Sequence, residues 1–314
     1  MTRLSRLSLN PILCPVPEHP WERSAVFNCA AVYYDGLYHL LYRATDLPCH
    51  ASCGDYVSSL GYAVSTDGLN FSRLDKPVMV GEGPQEGRGV EDPRIVRLEG
   101  RFYMVYTGFG GRFDGDYRIC LASSANLVDW TRHGVVLDEP NKDASLFPEK
   151  VGGRYTVLHR RYPDIWLAFS DDLVTWDDHT RLMSPIPGSW ESERLGIAGP
   201  PIRTPEGWLL IYHAADARNV YRLGWALLDL GDPTKVLYRQ PEPILEPELE
   251  WERCGWVPNV VFSTGHVVVN GRLLVYYGAA DTCIGAATAE IAQFSSPGSP
   301  ITTSPRCPLR MDRA

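Results

Sequence analysis

Ala30-Ala31-Val32-Tyr33-Tyr34-Asp35-Gly36-Leu37-Tyr38-His39-Leu40-Leu41-Tyr42-Arg43 is a β-hairpin written in residues. An apolar run meets Asp35-Gly36, and a second run rich in Tyr and Leu follows. A two-residue hairpin loop needs positive φ, and glycine supplies it. The pattern returns from Arg94 to Tyr106 around Glu99-Gly100 and from Lys150 to Arg160 around Gly152-Gly153. It returns again from Pro201 to His213 around Glu206-Gly207, and from Val267 to Tyr277 around Asn270-Gly271. The turns lie roughly 55 to 65 residues apart, a little above the repeat length of a propeller blade.

A second element follows most hairpins. It runs from Gly61 to Phe71, from Cys120 to Trp130 and from Leu167 to Trp176, with weaker copies from Gly224 to Asp229 and from Ala286 to Ala289. Ser and Asp cap its turn and a closing aromatic packs between blades, so Asp67, Asp171, Trp130 and Trp176 are read as structural. Two paired-strand elements per repeat make a four-stranded blade. The fold expected is all-β, a five-bladed β-propeller with a central funnel. No long stretch has helical periodicity. Residues 1–294 are read as one propeller domain. Residues 295–314, rich in Ser and Pro, are read as a loosely ordered extension.

The composition, 44% hydrophobic and 22% charged over 314 residues, allows a large core. A formal net charge of −8 argues against a nucleic-acid partner, which needs basic stripes. Met1 to Leu13 lacks the apolar core of a signal peptide, and no later run is long enough to cross a membrane. The eight cysteines form no CxxC pair. Free thiols without an export signal place the chain in a reducing cytoplasm. Cys49 and Cys53, with His50 between them, are a metal candidate, but no second pair completes a tetrahedral set. Neither a metal nor an organic cofactor is expected.

In a propeller the innermost strand of each blade lines the funnel. The residues leading into each hairpin are Asn28, Asp92, Asp143, Gly199 and Asn259. The ends of the second strands add Arg43, Thr107, His159-Arg160, His213 and Asp281. Unpaired polar groups are costly on a buried face, so a polar funnel accounts for this set better than coincidence. Gly89-Val90-Glu91-Asp92-Pro93-Arg94 places an acid at a strand start, with Pro93 biasing Asp92 toward an extended conformation. Such a carboxylate suits acid–base work, and the plainer reading is an ion pair at a strand start. Asp92 and Asp281 suit sugar hydroxyls. Arg43, Lys142, Arg160, Arg194 and His213 are more cation than a simple sugar pocket needs, and a dianion such as phosphate accounts for them. Tyr103, Trp208 and Tyr221 are candidates for stacking on sugar rings.

The chain resembles glycoside hydrolase family 130, the β-mannoside phosphorylases and related β-mannosidases. The likeness runs from Asn10-Pro11-Ile12-Leu13 to about Ala289. It is carried by Val26-Phe27-Asn28, Leu41-Tyr42-Arg43-Ala44, Glu91-Asp92-Pro93-Arg94, Asn141-Lys142-Asp143, Leu158-His159-Arg160, Tyr212-His213 and Tyr276-Tyr277-Gly278-Ala279-Ala280-Asp281. The resemblance implies a five-bladed propeller with Asp92 as catalytic acid, its proton passing through a mannose hydroxyl. It implies Asn28, Arg43 and Asp281 as contacts to the non-reducing mannose, and Lys142, Arg160, Arg194 and His213 as the phosphate-facing set. The substrate would be a short manno-oligosaccharide or a mannosyl-glucose or mannosyl-N-acetylglucosamine unit, with inorganic phosphate as co-substrate, attacking with inversion to release α-mannose 1-phosphate. Expected partners are therefore a small carbohydrate and phosphate, with homo-oligomerisation left open.

Two departures bear on the reaction. Some of the phosphorylases carry Arg-Asn where this chain has Lys142-Asp143, and a Lys where it has Arg194. An ionised Asp143 repels phosphate unless a cation neutralises it, and it is also a conceivable base for water. The alternatives are an inverting β-mannosidase, which needs a second carboxylate about 6.5–9.5 Å from the first, and a sugar-binding propeller without catalysis. A furanosidase on the same fold is a further alternative. The acceptor would be set by mouth loops such as Asp46 to Ser58 and Gly108 to Asp116, the latter a candidate lid.

Overall fold

A computed structural model describes residues 2–47, 56–113 and 115–295. Five antiparallel sheets follow one another along the chain. The first blade uses Ala25–Tyr34, Leu37–Thr45, Ser58–Ser65 and Ser72–Arg73, and the second Val90–Leu98, Arg101–Phe109, Tyr117–Ser124 and Thr131–Leu137. The third uses Lys142–Leu146, Tyr155–Arg161, Asp164–Ser170 and Asp177–Met183. In the fourth, Arg194–Ile197 and Ile202–Thr204 share the inner position beside Gly207–Ala215, Tyr221–Leu228 and Val236–Arg239. The fifth has Val261–Val269, Arg272–Ala279 and Cys283–Glu290, with Ser5–Arg6 as its outermost strand.

The five-bladed propeller expected from the repeats is therefore the fold. Closure of the ring was not visible in the repeats. Ser5 pairs with Thr288 and Arg6 with Ala287, so the start of the chain completes the last blade. The apolar cores lie between blades. Leu41, Leu60, Ile95 and Met104 join the first blade to the second, and Leu209, Trp225, Val275 and Tyr277 join the fourth to the fifth.

The hairpin turns follow the glycine signals with one exception. Asp35-Gly36, Glu99-Gly100, Gly152-Gly153 and Asn270-Gly271 all have two positive φ angles, as the mirror-image turn requires. In the fourth blade Thr204 pairs with Gly207, so the loop is Pro205-Glu206 rather than Glu206-Gly207. The Ser-capped turns also hold, with a shift of one residue in the third blade. There Asp172, not Asp171, accepts the backbone N–H groups of Val174 and Thr175, while Asp171 pairs with Arg154.

A repeated clamp ties together the strands of four blades. Before each innermost strand stands a buried glutamate: Glu22, Glu86, Glu191 and Glu252. Each accepts a hydrogen bond from a tyrosine of the second strand, namely Tyr42, Tyr106, Tyr212 and Tyr277. Each also meets an arginine of the outermost strand, namely Arg73, Arg132, Arg239 and Arg6. In three blades the preceding Trp stacks on the Tyr at interplanar angles of 22° to 24°. The third blade substitutes His159 and His179, whose rings share a 3.0 Å contact.

A buried ion pair broken on one side leaves a desolvated charge, at a cost of about 3–5 kcal/mol. Arg6→Met strips Glu252 of its cation at the seam, so urea unfolding should show a loss of that order. Arg3→Met removes an exposed pair with Glu246 and should change stability by less than about 0.5 kcal/mol. Equal effects of the two substitutions would contradict the seam clamp.

Candidate active site

The innermost strands carry their functional residues on bulges. Phe27 pairs with Arg43 and Cys29 with Tyr42, so Asn28 is an extra residue, at φ +46°. The register also shifts between Glu91 and Arg94 and between Lys142 and Ser145, with Asp92 at φ +51° and Asp143 at φ +60°. A bulged residue leaves the ladder and re-aims its side chain, and Asn and Asp tolerate this left-handed backbone best. Asp92 is thus not extended as Pro93 suggested. In the fifth blade the bulge falls on Thr264, and Asn259 reaches the funnel from the preceding loop.

These residues surround a cavity of about 480 Å³. Asn28, Arg43, Asp92, Lys142, Arg160, Arg194 and Asp281, seven of the eight residues to which the resemblance gives a role, line it. The eighth, His213, does not. It is 1% exposed and lies beneath the floor, 3.5 Å from Asp143, with its ring centroid 3.8 Å from that of Phe262 and tilted by 32°. Burial holds His213 below its ordinary pKa against the pull of Asp143. Gly199 packs on His266 and lies outside the cavity, as do Tyr103 and Trp208.

One half of the funnel is built on Asp92. Its Oδ1 accepts from Asn28 Nδ2 at 2.9 Å and from Arg43 Nη1 at 3.3 Å. Arg43 also binds Glu91 at 2.7 Å, so its contacts include two carboxylates. Among the described residues, both of these hydrogen bonds to the Asp92 side chain fall on Oδ1. Asp281 sits in a tight turn in which Ala280 and Asp281 both have positive φ. Burial pushes its carboxyl up to about 6, against the pull of Arg43, and the like charge of Asp92 adds to the rise.

The other half is cationic and comes from the third and fourth blades. Asp143 lies within 2.6 Å of Arg160 and 3.3 Å of the buried Arg94. Burial alone would raise its pKa, yet Arg160, His213 and Arg94 hold it well below the ordinary carboxylate range. Arg194 donates to the Tyr221 hydroxyl at 2.8 Å and to Asn219 at 2.7 Å, and makes no ion pair among the described residues. Lys142 makes no ion pair among the described residues and lies 5.3 Å from the Tyr117 ring centroid. Two arginines against one aspartate, with Lys142 and Arg194 beside them, leave a net positive wall.

The sequence reading missed Arg94 as a structural tie, and Arg218 and Asn219 as lining residues. The cluster Asp216-Ala217-Arg218-Asn219, between two strands that end at this mouth, is the signal that could have found the last two. No cluster of three metal-ligating side chains occurs among the described residues, and Cys49, His50 and Cys53 lie outside them. The Gly108 to Asp116 run starts as strand and folds back through Arg112, which is bound to Asp116 at 2.8 Å, with Asp114 outside the described residues.

A family model, Glyco_hydro_130, described as beta-1,4-mannooligosaccharide phosphorylase, matches residues 8–295. The chain belongs to this glycoside hydrolase 130 family. It is 65% identical over 291 residues to a 1,2-beta-oligomannan phosphorylase of Thermoanaerobacter sp. (strain X514), covering 93% of this chain and 98% of that one. A beta-1,2-mannobiose phosphorylase of the same organism is 58% identical, covering 92% and 98%. Among solved structures, a beta-1,2-mannobiose phosphorylase from Listeria innocua in complex with beta-1,2-mannobiose superposes with a TM-score of 0.85 at 28% identity, covering 92% and 97%. A structure described with family members that are glycoside hydrolases targeting beta-1,2 mannosidic linkages in Candida mannan superposes at 0.84 with 31% identity, covering 92% and 94%. The fold therefore does not choose between phosphate and water, and the choice rests on the site.

Asp281 gives a prediction. Its raised pKa means that the folded state holds this proton more tightly than the unfolded chain. The ionised carboxylate therefore lowers stability above pH 6, and the penalty fades as pH falls toward about 4. Asp281→Asn should be more stable than wild type at pH 7.5, by on the order of 1–3 kcal/mol, with the gap closing by pH 4. Denaturant titrations at both pH values check this. A wild type that is the more stable form at pH 7.5 would refute it.

Proposed function

We propose that this chain is an inverting β-mannoside phosphorylase acting on β-1,2-linked manno-oligosaccharides, with inorganic phosphate as co-substrate and α-mannose 1-phosphate as product. The observation that carries this reading is the state of Asp143. A hydrolase needs a second carboxylate free to take a proton from water. Asp143 is clamped by Arg94 and Arg160 and strongly favours its ionised form, which makes it a poor base. The same two guanidiniums cancel its repulsion of a dianion. Lys142 and Arg194 then offer charge to phosphate oxygens, Arg194 through a planar fork.

The non-reducing mannose lies against Asn28, Arg43, Asp92 and Asp281, and phosphate against the cationic wall. A phosphate oxygen attacks the anomeric carbon from the face opposite the leaving group. The glycosidic C–O bond breaks with its electrons going to oxygen. Asp92 supplies the proton to that oxygen, through a mannose hydroxyl as the family resemblance implies, and the incoming hydrogen phosphate restores it. Protein-bound phosphate serves as nucleophile, so one protein acid suffices. Its orientation by the cations replaces the entropy cost of a second free reactant.

A second cavity, of about 280 Å³, shares Lys142 with the first and is lined by Tyr56, Phe109, Phe113 and Tyr117. Aromatic faces and charged rims suit sugar rings. This cleft supports a leaving group of more than one mannose, as does the likeness to the oligomannan enzyme.

Incubation with β-1,2-mannobiose and β-1,2-mannotriose, with and without phosphate, tests the reading. The expected product is mannose 1-phosphate, and only with phosphate. Free mannose at a phosphate-independent rate would make the chain a hydrolase. Lys142→Met should raise the phosphate KM at least about tenfold while changing the sugar KM by less than about threefold, the mark of a group that touches only one substrate. Parallel rises in both constants would place Lys142 in the sugar site.

A further inference from the structure

The seam that closes the ring holds a pair of cysteines. Leu13 and Ile284 form an antiparallel bridge, with Ile284 N–H donating to Leu13 at 2.9 Å and Leu13 N–H donating back at 3.3 Å. They are a hydrogen-bonded pair, so the next positions, Cys14 and Cys283, face each other at a non-hydrogen-bonded site. At such sites Cα atoms lie about 4.5 Å apart, within the span a disulfide bridges. Both cysteines are free and only partly buried. We propose that Cys14 and Cys283 are a redox modification site, forming a reversible disulfide that staples the N-terminal segment to the fifth blade.

The chemistry of the pair suits the step. The neighbouring Cys283 thiol draws the Cys14 thiol down to about 7, against desolvation, with Arg73 adding to the fall, while Cys283 itself is raised. Cys14 is thus the attacking thiolate and Cys283 the resolving thiol. A low-molecular-weight disulfide serves as oxidant. Cys14 attacks one of its sulfurs and expels the other as a thiolate, giving a mixed disulfide. Cys283 then loses its proton, attacks the Cys14 sulfur and expels the second thiolate. Two protein thiols are oxidised and one small disulfide is reduced to two thiols.

The location gives the bond a structural effect. Cys14 and Cys283 are distant in sequence, so the bond constrains nearly the whole unfolded chain, where a disulfide restricts it most. Asp281 stands two residues before Cys283, and Val26 N–H donates to the intervening Thr282 at 3.1 Å. The staple therefore secures the turn that presents Asp281 to the funnel.

The whole chain should be treated with oxidised glutathione at pH 8, digested without reduction and mapped by mass. The expected result is a linked peptide joining Cys14 to Cys283, two hydrogens lighter and lost on adding dithiothreitol. Oxidation should raise the Tm of the wild type by about 5 °C or more, and should not raise that of Cys14→Ser. Two unlinked cysteines after oxidation, a link between other cysteines, or an equal Tm rise in Cys14→Ser would each overturn the proposal. The map is read on the wild type and does not depend on the variant folding.

Discussion

Arg94 is buried to 2% exposure at the meeting point of three blades. Its guanidinium donates to the Asp92 carbonyl at 3.0 Å, to Asp143 at 3.3 Å, and to the carbonyls of Ile197 and Ala198 at 2.6 and 2.8 Å. A buried guanidinium persists only when its donors are met. Here they are met by the backbone of the bulge that carries Asp92, by the side chain of the next bulge, and by the broken inner strand of the fourth blade. The geometry of the funnel is set by that requirement. Asp92, Asp143 and the gap between them are held by one residue that does not itself line the cavity.

The electrostatics of the site follow. Asp143 is a counter-ion, its charge committed to Arg94 and Arg160. The positive wall keeps its net charge because the two arginines exceed the one carboxylate, and Lys142 and Arg194 make no ion pair within bonding distance among the described residues. The opposite side is rich in carboxylates: Asp92, Glu91 and Asp281 share Arg43, and Asp281 holds its proton to about pH 6. The funnel is thus polarised, rich in carboxylates on one side and cationic on the other.

Much of this was legible in the residues. The hairpins around Asp35-Gly36, Glu99-Gly100, Gly152-Gly153 and Asn270-Gly271 state their own geometry, because few other residues accept two positive φ angles. From them the blade count and the funnel positions follow, and seven of the eight named site residues line the cavity. What was hidden depends on contacts far apart in sequence or on backbone that breaks the simple pattern. Ser5–Arg6 is too short and polar to read as a strand, and its partners lie at the other end of the chain. His213 occupies the same place in its strand as Arg43 and Arg160 do in theirs, yet the Phe262 ring covers it. The bulge at Asp92 overrides the extended bias of a pre-proline residue. The Trp-Glu pairs at Trp21-Glu22, Trp190-Glu191 and Trp251-Glu252 were a visible repeat that announces the Tyr–Glu–Arg clamps.

The account turns on Asp143 being a counter-ion rather than a base, and the phosphate dependence of Asp143→Asn tests this most directly. Amide for carboxylate keeps the shape and removes the charge that the two arginines balance. Turnover of β-1,2-mannobiose to mannose 1-phosphate should persist within about tenfold, with a phosphate KM equal to or below that of the wild type. A folded variant that has lost turnover by about a thousandfold or more would make Asp143 part of the chemistry and contradict the account.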